Sequence, residues 1–559
     1  MNKKILMILI IILLLASMLR LWNLGNVPIS PDWDEAALGY NAYSIMTTGR
    51  DEFGKFLPIV LRSFNDYKPA LYAYLIIPFI QILDLTVLAV RLPSAIFGIL
   101  SVLATFFLVK ELFPNVTIGE SSRRWVSDAF ALIAACMLAI SPWHIQFSRI
   151  AFESNVGLAL NIFSILFFLK GFRKPLWLFF SVFCMSMSIY VYQSEKVFVP
   201  ILATILVLIY RKQLLSLPRR HIVAVIIFGL ILVSPMLVYM TTDKQAWARA
   251  QGVSIFSRVD NVEVDQVSKR IQRDMANNDY LGVIIDNRRT IFVKDTIDGY
   301  LSHFDLNWLF IKGDPNITRH HAPNMSLLYL WSFPFLLIGI YTLFFGRKEN
   351  GISKQSKLLV FGWLLSVPIP ASITYDIPHA VRTLNFLPTW DIFIAIGLLS
   401  TFIYLQIKLK PFIRYAVYGL IGLVMILNIS YYLDQYFVQQ NYYYALDWQY
   451  GHRQVTEYVK PIQEKYRKII VSDRGEMSQS YIFFLFYLKY DPAQYLAGGG
   501  TRPDKLAFAN FEFRPFRYDE EDRNVLLIGA PGDFPQIYKT VFEVNYPNKN
   551  LSMKVVEKE

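Results

Sequence analysis

The chain has 559 residues, 54% of them hydrophobic and 16% aromatic, with only 18% charged and a mean hydropathy of +0.36. A water-soluble protein of this length carries about a quarter charged residues, so an ordinary soluble domain is excluded. Lys and Arg outnumber Asp and Glu by 55 to 43, a net charge of +12. The basic residues cluster in short segments beside apolar runs, which makes nucleic acid a poor explanation for the excess. Cys136 and Cys184 both fall inside apolar runs, so no disulfide framework is implied.

A membrane crossing needs roughly 20 apolar residues. The runs at 5–22, 89–113, 129–140, 156–169, 176–192, 197–210, 222–240, 327–345, 358–372, 386–407 and 415–433 predict eleven spans, give or take one. The first, behind Lys3 and Lys4, also has the look of a signal peptide. No small-x-small cleavage site follows it, so it reads as an uncleaved anchor. With the N-terminus inside, every second connection is short and basic: Lys110 with Arg123 and Arg124, Lys170 with Arg173, Arg211 with Lys212, Arg347 with Lys348, and Lys408 with Arg414. The alternate connections then lie outside, on the extracytoplasmic face of a cell membrane.

The first exterior connection, 23–88, carries Ser30-Pro31-Asp32-Trp33-Asp34-Glu35. Carboxylates this close to hydrocarbon are costly unless they have a function. Ser30 reads as a helix N-cap with Pro31 at the first helical position. Asp32 and Glu35 then share one face, with Asp34 turned aside. A plain acidic helix start, favoured by the helix dipole, is the competing structural reading. Residues 71–79, introduced by Lys68-Pro69, are too short to span and lie along the interface. Further exterior clusters are His144 to Arg149 and Glu153, His303 with Asp305, Asp314 with Arg319-His320-His321, and Asp376-Ile377-Pro378-His379-Ala380-Val381-Arg382. Each alone is explained by the aromatic and basic residues that anchor membrane boundaries. Together, carboxylates and cations on one membrane face suit an anionic lipid headgroup and an acid–base reaction.

Pro31-Asp32-Trp33-Asp34-Glu35-Ala36, Gly49-Arg50-Asp51, Lys68-Pro69-Ala70-Leu71-Tyr72, Arg91-Leu92-Pro93-Ser94, Ser148-Arg149 and the 376–382 segment together resemble the protein O-mannosyltransferase and aminoarabinose transferase-like branch of the GT-C glycosyltransferases. The resemblance covers roughly residues 1–435 and is strongest in the first 155. It implies a polytopic α-helical membrane enzyme that moves a sugar from a polyprenyl-phosphate-linked donor to a hydroxyl of a glycan, lipid or protein acceptor on the extracytoplasmic face. It also places the catalytic acidic pair at Asp34 and Glu35, with Asp34 as general base and Glu35 orienting the acceptor or holding a cation. Attack opposite the phosphate would invert the anomeric centre. The leaving phosphate needs cationic donors: Arg149 first, then Lys68, His379 and Arg382; His303 joins the donor- and substrate-binding set, and Asp32 is an accessory beside the acidic pair. No ligand spacing is diagnostic, so a divalent metal is left open.

Residues 1–435 are expected to form the transmembrane enzyme, with 241–325 as a long exterior loop and 436–559 as a small exterior α/β domain. No soluble insertion of the size found in eukaryotic protein mannosyltransferases is evident, which puts a protein acceptor in doubt. Within the C-terminal segment, strands at 468–471 and 524–528 alternate with helices at 455–466 and 481–490. Gly529-Ala530-Pro531-Gly532-Asp533 reads as an ordinary turn before a phosphate loop. Asp447-Trp448-Gln449-Tyr450-Gly451 partly resembles an oligosaccharyltransferase signature but lacks its central acid and one tryptophan. Oligosaccharide transfer is therefore the second reading. A lipid-linked sugar flippase is the third, because the spans carry few charges near their middles.

Overall fold

The computed structural model describes residues 2–64, 66–117, 123–247, 252, 254, 261–315, 317–345, 351–502, 505–534 and 539–558. Arg347 and Lys348 of the basic set lie outside the described residues. All eleven apolar runs form helices. Helix α1 is Lys3–Leu21, α2 Trp33–Thr48, α3 Leu71–Leu83, α4 Val87–Leu112, α5 Arg123–Ile140, α6 Pro142–Ser148, α7 Glu153–Gly171, α8 Leu176–Ile189, α9 Glu195–Ser216 and α10 Arg219–Thr242. Helices Leu330–Phe345, Lys354–Ser366, Leu384–Lys408 and Pro411–Tyr443 complete the set. Seven of these are long and apolar enough to cross a membrane. An eighth is the α5–α6 pair, bent by 58° where Ser141 caps α6 and Pro142 opens it. The predicted spans at 176–192, 327–345 and 358–372 form helices too short to qualify alone.

Close helix packing builds the bundle core. Helix Leu387–Lys408 is buried over most of its length against helix Phe333–Phe345 and α5. Gly339 and Gly397 permit the first of these crossings: a Cβ on either would overlap a main-chain carbonyl of the facing helix, Phe393 or Phe335. Helix α1 packs on α4 and α5 through a face that includes Ala16 and Leu19.

One end of the bundle gathers the connections that matter. There α1, α8 and α10 end, while α4, α7 and α9 begin. Between α2 and α3 a short antiparallel hairpin, β1 (Val60–Ser63) with β2 (Asp66–Pro69), pairs Leu61 with Lys68. The hairpin is held to the bundle by Gln193, which donates to the Tyr67 carbonyl at 2.5 Å, and by the Leu71 amide on the Tyr190 carbonyl.

The C-terminal part folds as a six-stranded mixed sheet flanked by short helices. Its strands are β3 (Lys468–Val471), β4 (Leu506–Phe508), β5 (Phe511–Phe513), β6 (Val525–Gly529), β7 (Thr540–Asn545) and β8 (Leu551–Lys558), in the order β4-β5-β3-β6-β8-β7. The central β3 pairs in parallel with β5 and β6, as the apolar runs 469–471 of β3 and 525–528 of β6 favour. After β6, Asp533 folds back and its carboxylate accepts the Ala530 N–H at 3.0 Å. The Gly529–Asp533 loop is thus a turn closed on itself.

This part shares a hydrophobic core with α2 and α3: Tyr40, Ala73 and Ile76 lie in one buried cluster with Phe484, Phe511 and Ile528. Buried within the contact, Glu52 accepts hydrogen bonds from Asn41 at 2.9 Å, Thr501 at 2.6 Å and Tyr481 at 3.3 Å. Burial pushes its carboxyl up to about 7, against the pull of the Thr501 and Asn41 hydrogen bonds. The folded protein therefore holds a proton that the unfolded chain releases near pH 4.5, and stability falls as pH rises from there through 7. Thermal unfolding in detergent is expected at lower temperature at pH 8 than at pH 6, with the difference shrinking in Glu52→Gln.

Candidate active site

Helix α2 begins two residues later than its sequence predicts. Asp32, not Ser30, is the cap: its carboxylate accepts the Glu35 N–H at 2.8 Å, and Glu35 reaches back to the Asp32 N–H at 3.4 Å. The Trp33 N–H, the next orphan donor, goes to Gln449 Oε1 at 2.8 Å. The Ser30 carbonyl is taken by Arg91, which draws that residue out of the helix.

The three carboxylates of this turn have three different environments. Glu35 is buried and forms a bidentate pair with Arg91, Nε to Oε1 at 2.9 Å and Nη2 to Oε2 at 2.8 Å; it also accepts the Ala151 N–H at 2.8 Å. Its oxygens are fully engaged away from the cavity, so the expectation that Glu35 orients an acceptor is corrected: it anchors the turn. Asp32 is also buried, paired with Arg319 at 2.5 Å. Burial pushes its carboxyl up to about 6, Arg319 pulls it down, and the neighbouring Asp34 and Glu35 add to the rise. Asp34 alone retains appreciable exposure, 29% of its side chain, and forms an ion pair with Lys68 of β2.

Asp34 and Lys68 open onto a cavity of about 170 Å³. Its other charged or titratable walls are Glu153 at the start of α7, Arg319, His320 and His379, with Phe152, Tyr192 and Val381 as apolar and aromatic surface. Burial opposes the charge on Lys68, but Asp34 and Glu153, with Asp32 behind them, outweigh it and hold the ammonium above its ordinary value. The site is thus a small polar chamber with carboxylates and cations facing one space.

The remaining predicted cations lie elsewhere. Arg149, the first choice for the phosphate, is buried and donates to the Leu19, Trp22 and Val27 carbonyls at 2.7–3.0 Å, its guanidinium over the Tyr436 and Phe437 rings. That corrects its assignment: it ties the end of α1 to the loop after α6. Arg382 donates to Thr374 Oγ1 at 2.7 Å and the Tyr375 carbonyl at 2.6 Å, behind the cavity wall. His303 faces the Gly299 carbonyl through Nδ1 at 2.7 Å and accepts the His379 N–H through Nε2 at 3.3 Å. Burial lowers it to about 4, so it braces the His379 loop as a neutral ring. Of the predicted set, Asp34, Lys68 and His379 reach the chamber.

Asp314, His320 and His379 bring ligand atoms within 4.8 Å of one another, close enough for a metal ion. Their hydrogen bonding suits another role. Asp314 accepts Trp308 Nε1–H at 2.6 Å, the Ala380 N–H at 2.9–3.1 Å and His320 Nδ1–H at 2.5 Å. These bonds join the two loops through Asp314, and His320 keeps Nε2 on the side away from the carboxylate. Burial, opposed by Asp314, keeps His320 below its ordinary value.

Glu153, Arg319 and His320 are the wall residues that carried no assigned role in the sequence. Glu153 had a detectable signal, a carboxylate at the very start of an apolar span. Arg319 and His320 had none beyond belonging to a basic cluster, because only the fold brings residue 319 to residue 32.

Residues 67–239 match the dolichyl-phosphate-mannose-protein mannosyltransferase family. No curated protein matches the chain. Among solved structures, ArnT from Cupriavidus metallidurans bound to undecaprenyl phosphate is similar over 98% of this chain and 97% of its own, with a TM-score of 0.54 and 12% identity. The archaeal oligosaccharyltransferase AglB from Archaeoglobus fulgidus, in complex with an inhibitory peptide and a dolichol-phosphate, is similar over 94% of this chain and 69% of its own, with a TM-score of 0.52 and 13% identity. At these identities the structures share the fold, and the matched segment carries Lys68, Arg91 and Glu153 of the site. The chain thus has the polytopic helical membrane fold of these two structures, and its segment 67–239 is similar to the protein mannosyltransferase family.

Proposed function

We propose that the chamber transfers a monosaccharide from a polyprenyl-phosphate donor to an acceptor hydroxyl, with Asp34 as general base. The observation that carries this reading is the pairing of Asp34 and Glu153 with Lys68 and Arg319 around one small cavity. An ammonium has three donors, so Lys68 can take a phosphate oxygen while still holding Asp34. Arg319 offers a second cation, and the two neutralise the charge that grows on the leaving phosphate. Asp34 accepts the proton as the acceptor oxygen bonds to the anomeric carbon, and the carbon–phosphate oxygen bond breaks on the opposite face. The product would be inverted, with polyprenyl phosphate released. Glu153 supplies the second carboxylate that holds the acceptor.

The orientation follows from charge. Lys110, Lys170, Arg211, Arg219, Lys354 and Lys408 all lie at the bundle end opposite the chamber, which the positive-inside rule assigns to the cytoplasm. The chamber and the C-terminal domain, taken as 436–559, then face the exterior of the cell membrane. Among the described residues of the spanning helices, the buried charges Arg20, Arg91, Glu153, Glu195 and Asp391 lie at or near the chamber end, and Asp128 lies near the opposite end, paired with Lys110. A transport path would need such groups near the bilayer centre.

The donor sugar and the acceptor are to be found by incubating the purified protein with radiolabelled polyprenyl-phosphate sugars and candidate glycan and lipid acceptors. Asp34→Asn is expected to lower transfer by about 10²-fold or more while sparing polyprenyl phosphate binding; retention of activity within a few-fold would remove Asp34 from the base role. Lys68→Ala should weaken polyprenyl phosphate binding about tenfold or more, measured by displacement of labelled lipid. Glu35→Gln behaves differently: it leaves Arg91 buried without its counter-charge and should cost about 3–5 kcal/mol of stability, seen as a lowered unfolding temperature. Transfer should persist in excess chelator, because protein cations already face these carboxylates and Asp314 is engaged.

A further inference from the structure

Below the chamber, within the helix bundle, Glu195 is buried at the first residue of α9. Its partners are amides: Asn161 Nδ2 donates to Oε2 at 2.7 Å and Asn385 Nδ2 to Oε1 at 2.7 Å, while Asn161 Nδ2 also reaches Asn385 Oδ1 at 2.9 Å. A buried carboxylate held only by neutral groups is expensive in such surroundings. Asn161 also leaves its own buried Oδ1 without a donor. The opposite amide orientation would set that oxygen against the carboxylate, so the cluster fixes its own geometry.

The three residues belong to the three elements that form one wall of the chamber. Asn161 is two turns along α7 from Glu153, on the same face, and Gly157 lies between them. A Cβ there would stand 3.0–3.2 Å from the Glu195 carboxylate, so the glycine makes room for it. Glu195 follows directly on Tyr192 and Gln193. Asn385 closes the loop that carries His379 and Val381. Lys68 and Arg319, the cations of the chamber, come from other elements.

We propose that Glu195 is a positioning residue that locks Glu153, the Tyr192 turn and the His379 loop into one wall by accepting from two amides at once. The inference rests on the transferase reading for its kinetic consequence, while its structural consequence stands alone. Only a carboxylate offers an acceptor to both neighbours. In Glu195→Gln one amide must face another, and a contact is lost without change of volume. The swapped pair Glu195→Gln with Asn385→Asp restores every bond in mirror order: the new amide on α9 donates to the new carboxylate of the loop, which also accepts from Asn161.

Two measurements on the full-length protein test this. Hydrogen exchange should quicken in the peptide spanning 375–385 in Glu195→Gln and return to the wild-type rate in the swapped pair. With a turned-over donor, kcat should fall roughly tenfold or more in Glu195→Gln, with donor KM within about threefold because the phosphate cations sit elsewhere; the swapped pair should recover it. Asn385→Ala, which keeps the Asn161 contact, should shift both readouts the same way by less, and serves if Glu195→Gln does not fold. Unchanged exchange at 375–385, kcat within twofold of wild type, or a swapped pair as impaired as the single variant would each overturn the proposal. If the wild type transfers no sugar, the transferase reading fails, and the exchange comparison still decides whether Glu195 holds the wall.

Discussion

Arg91, in the first turns of α4, places all five of its N–H groups. Nε and one Nη2 hydrogen go to Glu35; the others reach the Leu24, Pro28 and Ser30 carbonyls at 2.8–3.1 Å. A single side chain therefore fixes the path of the chain from the end of α1 to the start of α2. The rigid fork of a guanidinium is needed for this, and an ammonium could not replace it. Glu35 completes the arrangement by accepting the Ala151 amide, which seats the loop leading to Glu153. Asp34 and Glu153, the two carboxylates of the chamber, are thus set by opposite sides of one buried ion pair.

The distribution of charge around that pair separates support from reactivity. Arg91, Arg149 and Arg20 are spent on backbone carbonyls and buried partners, closing the gaps where apolar helices end. Arg319 bridges the two classes: it neutralises Asp32 at 2.5 Å and lies over the Trp33 ring while its side chain also borders the cavity. Lys68, by contrast, meets its counter-charge, Asp34, at the cavity itself and is delivered by a two-stranded hairpin rather than a helix. The groups with freedom to exchange partners are those at the chamber, which is where a ligand's charge would have to be met.

Much of this was readable in the sequence, and the failures have physical causes. Helices were legible because apolar runs have no alternative in a bilayer; the three short ones show that composition marks a helix more reliably than it marks its length. The acidic turn was legible as a cost, but not the division of labour within it. Asp32 and Glu35 differ from Asp34 only in which way a capped helix turns them, and the cap itself was displaced by Arg91, about 60 residues away along the chain. Arg149 misled for the same reason. An arginine at a membrane boundary has the same appearance whether its partner is a phosphate or three carbonyls. His320 and Arg319 reach the site through a loop of more than seventy residues, and no local pattern predicts where such a loop returns.

The aromatic segment after the last membrane helix shows how the C-terminal part enters this scheme. Trp448 is buried, and Gln449, held at a positive φ of 50°, turns its amide oxygen onto the Trp33 N–H. That bond satisfies the orphan donor immediately before Asp34. Further along α2, Tyr40 packs edge-on against Tyr495, and Gly39 is crowded by Phe486. A helix of 16 residues with most of one face and much of the other buried cannot find enough partners within a single exterior loop. The small α/β layer supplies them, so it acts as the outer half of the mould that holds the acidic turn, with Arg91 as the inner half. The turn is therefore fixed from both sides, by Gln449 on the outside and Arg91 on the inside.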